Sequence, residues 1–195
     1  METHKGETHP LPPFFPEGAR ILMLGSFPPK RERWKMDFFY PNIQNDMWRI
    51  FGCVFFHDKN YFLEESGKSF REAAIRSFLE EKGIALWDTA MAVHRQKENA
   101  SDKYLEVLQP IDLANVLQKL PDCKALAITG QKAMDTLLAL IEASEPKPGT
   151  FTDTVYQGRP LRIYRLPSSS RAYPKPLEDK AAVYGKMFRE MGICK

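Results

Sequence analysis

The sequence lacks several features that would define a common class of site. Its three cysteines are far apart and form no zinc or cluster spacing, and such sparse thiols are typical of a reducing compartment. No apolar run reaches the roughly 18 residues of a membrane span. Neither a P-loop nor a Gly-x-Gly-x-x-Gly fingerprint occurs, so an unrelated nucleotide-binding enzyme is the least favoured class. We therefore expect a cytoplasmic protein without a membrane segment, a metal or another cofactor.

The bulk composition is that of one ordinary globular domain. The chain has 195 residues, of which 43% are hydrophobic and 27% charged. This length is sufficient for one domain with a real core, and we assign residues 1–195 to it. Residues 1–18 are polar and proline-rich without a signal-peptide pattern, and they read as a surface lead-in. The net charge of +3 permits a polyanionic partner but does not require one.

The apolar pattern predicts an α/β fold. Four short, continuous apolar runs are typical of strands buried on both faces of a parallel sheet: Arg20–Ser26, Ile84–Thr89, Ala125–Thr129 and Leu161–Leu166. Helical spacing predicts helices at Asn45–Phe55, Ser69–Lys82, Pro110–Lys119, Gln131–Ala143 and Leu177–Met191. The segment EASEPKPGTFTDTVYQGRP predicts a loop or hairpin before the last strand. Ligands of such folds bind at the carboxyl ends of the strands, so the loops that follow the four strands are the candidate site.

The first strand-end loop, GSFPPKRERWKMDFFYPNIQNDMW, mixes cations with aromatic residues. Gly25 permits a close backbone approach. Basic side chains can hold phosphates, and aromatic faces can stack on bases. A solvated loop whose aromatic residues pack on the core explains the pattern equally well.

The other three loops carry weaker signals. The second, WDTAMAVHRQKENASD, has Asp88 at the strand end followed by His94, and a lone His in a loop is more often structural than catalytic. The third, TGQKA, has one glycine before a helix, which is a weak anion signal. The fourth, LPSSSRAYPKP, offers hydroxyl and amide donors that suit phosphate oxygens, although a serine-rich turn that caps the last helix is an equal alternative.

The segments LGSFPPK, FFYPNIQNDMWRIFG and RLPSSSRA, in this order, resemble motifs of the uracil-DNA glycosylase superfamily. The likeness is greatest to its mismatch-specific and hypoxanthine-DNA glycosylase branches, and it spans roughly residues 21 to 172. It implies a three-layer α/β/α sandwich around a four-stranded parallel sheet. The implied activity is hydrolysis of the N-glycosidic bond of a deaminated base, hypoxanthine or mismatched uracil, that is flipped out of DNA during base excision repair.

The resemblance also implies roles for individual residues. Asn45 matches the catalytic asparagine of the hypoxanthine branch, and Asn42 is the second candidate. The implied base-binding residues are Gly25, Ser26, Phe27, Pro28, Tyr40 and Thr129, of which Tyr40 stands at the stacking position. The implied DNA-binding residues are Ser168, Ser169, Ser170 and Arg171, and either Arg171 or Tyr173 would fill the vacated base stack. The implied protein is a monomer that acts on DNA without a metal.

Two departures from the family pattern leave a second interpretation open. Phe27 stands where the mismatch-specific branch has a polar residue that positions water, and a phenyl ring cannot bind water. Thr129 and Gln131 flank Gly130 where relatives have a base-reading asparagine. The alternative is therefore a catalytically inactive superfamily member that binds nucleic acid or a nucleotide.

Overall fold

The computed structural model describes residues 6–96 and 101–195. Residues 1–5 of the predicted lead-in and residues 97–100 of the second loop lie outside the described residues. The strands are β1 (Glu7–Thr8), β2 (Ile21–Gly25), β3 (Ile84–Asp88), β4 (Ala90–Arg95), β5 (Leu105–Pro110), β6 (Ala125–Thr129), β7 (Phe151–Tyr156) and β8 (Arg159–Leu166). The helices are α1 (Met47–Phe56), α2 (Glu72–Lys82), α3 (Leu113–Gln118), α4 (Gln131–Leu138) and α5 (Leu177–Glu190).

The main sheet contains the four predicted strands in parallel. Its order is β3-β2-β6-β8-β7, and β7 is the one antiparallel member. Strands β2, β3 and β6 are buried along their whole length, as continuous apolar runs predict. The segment before the last strand is a hairpin, so β7 adds a fifth strand to the four expected.

Helices cover the main sheet on both faces. Phe51 of α1 lies 6.0 Å from Phe78 of α2 and 5.4 Å from Phe188 of α5, between ring centroids, so these three helices form one layer. The connections through α3 and α4 run in the opposite direction across the sheet, and right-handed crossovers place them on the other face. The predicted three-layer α/β/α sandwich is confirmed. None of the described helices is long and apolar enough to cross a membrane.

A second, smaller sheet was not expected from the sequence. It is antiparallel in the order β1-β4-β5, and its register shifts twice along β4. The lead-in supplies β1 and then pairs with the edge of the main sheet, where the Phe14 and Leu86 backbones exchange hydrogen bonds of 3.1 and 2.9 Å. Residues 6–18 are therefore tied to both sheets, although much of their surface is exposed.

Candidate active site

Three strand ends bring polar oxygen atoms together around Gly25. A methyl group built on Gly25 would lie 2.7 Å from Asp88 Oδ1, 3.1 Å from the Tyr40 hydroxyl and 3.7 Å from Thr129 Oγ1. Gly25 ends β2, Asp88 ends β3 and Thr129 ends β6. These carboxyl ends are where parallel α/β sheets bind ligands. Glycine is needed at position 25, because any side chain there would collide with these oxygen atoms.

Tyr40 enters the cluster from the first loop with an unusual backbone. Its φ is +52°, in the left-handed region that few residues with a side chain adopt. Its hydroxyl lies 3.3 Å from Thr129 Oγ1, and its half-buried ring meets Trp48 edge-on. Burial, and then the charge of Asp88, raise the pKa of Tyr40 well above its usual range. The hydroxyl is therefore neutral, and the strained backbone marks a position of the kind found at functional sites.

The loop after β8 lies beside the same cluster. Ser168 is next to Gly130, with 3.7 Å between its Cβ and a Cβ built on the glycine. The Ser168 hydroxyl accepts a hydrogen bond from the Ser170 N–H at 3.2 Å. Ser169 is buried, whereas Arg171 and Tyr173 are exposed at the loop tip. The serines thus shape the loop, and the two candidate wedge residues are presented to solvent.

Buried charges join this loop to the start of α1. The Asp46 N–H donates to the Ser169 carbonyl at 2.8 Å, and Asn45 forms a bridge with Ser170. The buried Asp46 carboxylate accepts from Arg171 Nε at 3.1 Å and from Lys180 Nζ at 3.4 Å. The second and the last of the sequence motifs therefore meet in space.

The two candidate catalytic asparagines both shape the segment before α1. Asn45 Oδ1 accepts a hydrogen bond from the Met47 N–H at 2.9 Å, which stabilises the start of the helix. Asn42 Oδ1 accepts from the Gln44 N–H at 3.0 Å. The Nδ2 group of Asn45 makes no hydrogen bond within the part of the chain that the structure describes. Its amide donor is free for a ligand, so the catalytic assignment of Asn45 remains a prediction.

The other predicted first-loop residues face the small sheet. The Ser26 hydroxyl donates to Asp102 Oδ2 at 2.7 Å. The Pro28 carbonyl accepts from Arg95 at 2.6 Å. Phe27 is 8% exposed and packs in a small apolar cluster with Ala90, Val93 and Leu105. Direct contact of Phe27 with a base remains a prediction.

Two site residues, His9 and Asp102, carried no signal in the sequence. His9 Nε2 lies 2.7 Å from Asp88 Oδ2, and both side chains are nearly inaccessible. His9 comes from the proline-rich lead-in, and its pairing with β3 joins residues 79 positions apart. No local pattern can reveal such a contact, although Asp88 stands out as a polar residue at a strand end.

Asp102 gives a testable pH dependence of stability. Its carboxyl group turns inward onto Ser26, and desolvation, with a further contribution from the Asp88 charge, raises its pKa above the ordinary 3.8. The folded state then holds more protons than the unfolded state as pH rises from 3.8 towards the raised value, so stability falls through that window. We expect Asp102→Asn, which keeps an acceptor for Ser26, to gain melting temperature relative to wild type as pH increases.

Asp153 is a matched control, because its pKa is shifted in the opposite direction. The Arg162 guanidinium, by its hydrogen bond, lowers the pKa of the exposed Asp153 carboxyl. Asp153→Asn should lose a little stability relative to wild type above the ordinary pKa, and this difference should shrink as pH falls from there through the lowered pKa. Thermal melts of the three proteins from pH 3 to 7 measure both differences, and a constant offset for Asp102→Asn would contradict the prediction.

A basic cavity of about 490 Å³ lies next to the loop after β8, which is called the late loop below. Five cationic side chains and a single carboxylate, Asp46, contribute to its lining; the cations are Arg49, Lys59, Arg171, Lys175 and Lys180. Partial burial and the neighbouring Arg171 charge lower the pKa of Arg49. Crowded cations of this kind favour an anion. Among the described residues, no three His, Cys, Asp or Glu side chains are grouped so that they could hold a metal ion.

Comparison with known proteins identifies the fold. No protein-family model and no curated protein matches the chain. A solution NMR structure from Methanosarcina acetivorans, described as a "putative Uracil DNA glycosylase", matches 96% of this chain and 98% of its own with a TM-score of 0.62. The chain has a uracil-DNA glycosylase-like fold. At 22% sequence identity the likeness establishes that fold and no activity.

Proposed function

We propose that this protein is a DNA glycosylase of the uracil-DNA glycosylase superfamily that releases a deaminated base, hypoxanthine or mismatched uracil, from DNA. The observation that carries the proposal is the meeting of Gly25, Tyr40 and Thr129 at one end of the sheet, with the Ser168–Arg171 loop alongside. The family resemblance assigns these residues to one site independently of the geometry. Their closeness supports the assignment.

The oxygen cluster has the chemistry that recognition of a flipped base requires. Extruding a base costs a few kcal/mol, least for a mismatched base. The half-buried Tyr40 ring offers an aromatic face, and the Tyr40 and Thr129 hydroxyls offer hydrogen bonds to base edges. Negative charge develops on the departing base, so preorganised donors lower the barrier. Asn45, with an amide donor free, is the proposed group that orients the base or the water.

The late loop and the basic cavity together suit the DNA backbone. The loop approaches the cluster at Ser168 and exposes Arg171 and Tyr173, and one of these two side chains is proposed to occupy the space of an extruded base. Arg171 also lines the cavity, so a strand that crosses the loop would continue over its cations. Phosphate contacts of this kind position DNA without reading its sequence.

The proposal is tested with a panel of labelled duplexes. Each duplex carries uracil or hypoxanthine opposite one of the four normal bases, and an undamaged duplex is the control. Release of free base from one or more of the damaged duplexes, with none from the undamaged one, is the expected result. The absence of release from every duplex, with the protein folded and in excess, would overturn the glycosylase function.

Phe27 favours one second candidate, a binder that no longer cleaves. Its phenyl ring packs on the small sheet and supplies no polar group to a water. A binder would retain damaged DNA in a salt-sensitive manner and release no base. The same duplex panel therefore separates the two candidates.

The basic cavity carries a prediction of its own. We expect Lys59→Glu and Lys175→Glu to weaken DNA binding for all sequences alike, because each removes a cation that pairs with a phosphate. The slope of log Kd against log salt should fall by about 1 for each lysine replaced. Lys119→Glu is the matched control, since it makes the same charge change at an exposed position after α3. Equal weakening by all three variants would mean that only net charge matters.

A further inference from the structure

A buried histidine–aspartate pair lies directly beneath the oxygen cluster. His9 Nε2 is 2.7 Å from Asp88 Oδ2, and the exposed fractions of the two side chains are 3% and 7%. Burying polar and ionisable groups costs free energy unless they are paired. The histidine–aspartate pair is not needed to attach the lead-in to β3, because backbone hydrogen bonds between Phe14 and Leu86 already hold these segments together.

The two carboxylate oxygens of Asp88 have different surroundings. Oδ2 is held by His9, whereas Oδ1 lies 2.7 Å from the position of a Cβ on Gly25, close to the Tyr40 hydroxyl. Within residues 6–96 and 101–195, Oδ1 has no hydrogen-bond donor. His9 thus holds one oxygen, and the other lies against Gly25, at the strand end where the proposed base would bind.

His9 is held so that it must donate to Asp88. The Leu11 backbone offers both groups to His9 Nδ1: its N–H is at 3.2 Å and its carbonyl oxygen at 3.1 Å. A carboxylate oxygen can only accept, so the 2.7 Å contact with Asp88 Oδ2 requires the proton to be on His9 Nε2, and Nδ1 of the neutral ring then accepts from the Leu11 N–H. The Trp87 ring, 4.3 Å away between centroids, and the Phe27 ring, 5.4 Å away, fix the imidazole plane.

This arrangement supplies what the first loop lacks. Hydrolysis of a glycosidic bond requires a positioned water, and Phe27 cannot provide it. We propose that Asp88 is the catalytic carboxylate that orients and deprotonates the attacking water, and that His9 is the positioning residue that holds it. This inference rests on the proposed glycosylase function. It gives Phe27 a separate role, because the Phe27 and Trp87 rings together form an aromatic box around the His9 imidazole.

The step balances without a further reactant. The water oxygen forms a bond to C1′ of the deoxyribose as the bond from C1′ to the base nitrogen breaks. The bonding electron pair leaves with the base. The proton of the water passes to Asp88 Oδ1 and then to solvent, and solvent protonates the departed base. Asn45 is left to act on the base or to share the orientation of the water.

The test measures single-turnover base release from the best duplex of the panel, together with the Kd for that duplex. We expect Asp88→Asn, which keeps the shape of the side chain, to slow release by about 100-fold or more at an unchanged Kd. In Asp88→Ala, added formate should restore part of the rate in proportion to its concentration, because a small carboxylate can occupy the vacated place. Asp122→Asn, at an exposed position before β6, is the control for loss of one negative charge.

His9 is tested with a matched pair of variants. His9→Phe keeps an aromatic ring in the box but removes the donor, and we expect it to slow release by as much as about 100-fold. His9→Gln places an amide donor near Nε2 and should recover most of that loss. Thermal melts of both variants separate this pattern from a loss of folding, since a purely structural role predicts that rate follows stability.

The outcomes distinguish this inference from the function on which it rests. If wild type releases no base from any duplex, the glycosylase function fails and the inference fails with it. If wild type releases base and Asp88→Asn keeps its rate within a few-fold, only the role of Asp88 is overturned. Slow release that formate does not restore, accompanied by weaker DNA binding or a lower melting temperature, would make the pair structural and would overturn the inference equally.

Discussion

Asn45→Ala is expected to slow base release by about 100-fold or more, the usual effect of removing one preorganised donor from an active site. DNA affinity should change little, because the Asn45 side chain belongs neither to the late loop nor to the lining of the basic cavity. The rate is expected to fall because the substitution removes the Nδ2 donor. The other polar atom of the amide, Oδ1, already accepts from the Met47 N–H. Single-turnover release and Kd on the same damaged duplex measure the two quantities separately.

A serine variant controls for the structural role of Asn45. Asn45→Ser keeps an oxygen that can accept from the Met47 N–H, whereas Asn45→Ala does not. The alanine variant should therefore lose about 1 kcal/mol of stability and the serine variant much less, while both lose base release. Recovery of the rate in Asn45→Ser would mean that only the helix start matters. If Asn42→Ala loses the rate and Asn45→Ala keeps it, the second candidate is the catalytic amide.

The core of the fold was predictable because its strands are buried on both faces. A strand covered by helices above and below needs apolar residues at every position, and such a run stands out against its surroundings. Helix ends were less predictable: the helix expected to reach Ala143 ends at Leu138. The small sheet was missed because β4, AMAVHR, buries only Ala90 and Val93, three positions apart over a shifted register, and so lacks the alternation that predicts a strand.

The residues of the candidate site also differ in whether local sequence or only distant contacts can reveal them. Gly25, Tyr40, Thr129 and the serine loop could be proposed as site residues because each belongs to a segment with a recognisable order of residues. His9 could not, since its partner lies 79 positions away and its own neighbours are prolines and exposed residues. The helix LEDKAAVYGKMFRE likewise presents Lys180 as an ordinary surface lysine, and its buried position is explained by two distant partners, the Asp46 carboxylate and the Ser170 carbonyl.

The Asp46 network also explains how the site keeps its shape. Polar bonds to neighbouring elements hold the late loop. The Asp46 N–H holds the Ser169 carbonyl, Lys180 holds the Ser170 carbonyl at 2.8 Å, and Tyr184 holds the Pro167 carbonyl at 2.7 Å. These bonds fix the backbone carbonyls on the inner side of the loop, and Arg171, Ala172 and Tyr173 stay exposed on its outer side.

Lys180→Met is expected to be the most destabilising of the substitutions considered, at about 3 kcal/mol or more in the free energy of unfolding. Lys180 is fully buried, and its removal leaves the Asp46 carboxylate without its buried cation and the Ser170 carbonyl without its donor. The loop after β8 should loosen as well, so base release should fall with stability. Denaturant unfolding of the variant and of wild type measures the difference.

Two further variants decide whether the loss of the Lys180–Asp46 ion pair causes the destabilisation. Lys186→Met, on the same helix, removes an exposed lysine that lies 3.9 Å from Glu190 and should cost less than about 0.5 kcal/mol. In the double variant Asp46→Asn with Lys180→Met no carboxylate is left without its partner, so part of the lost stability should return. If the double variant is instead as unstable as the sum of the two single variants, the cost of Lys180→Met comes from lost packing and not from an unpaired charge.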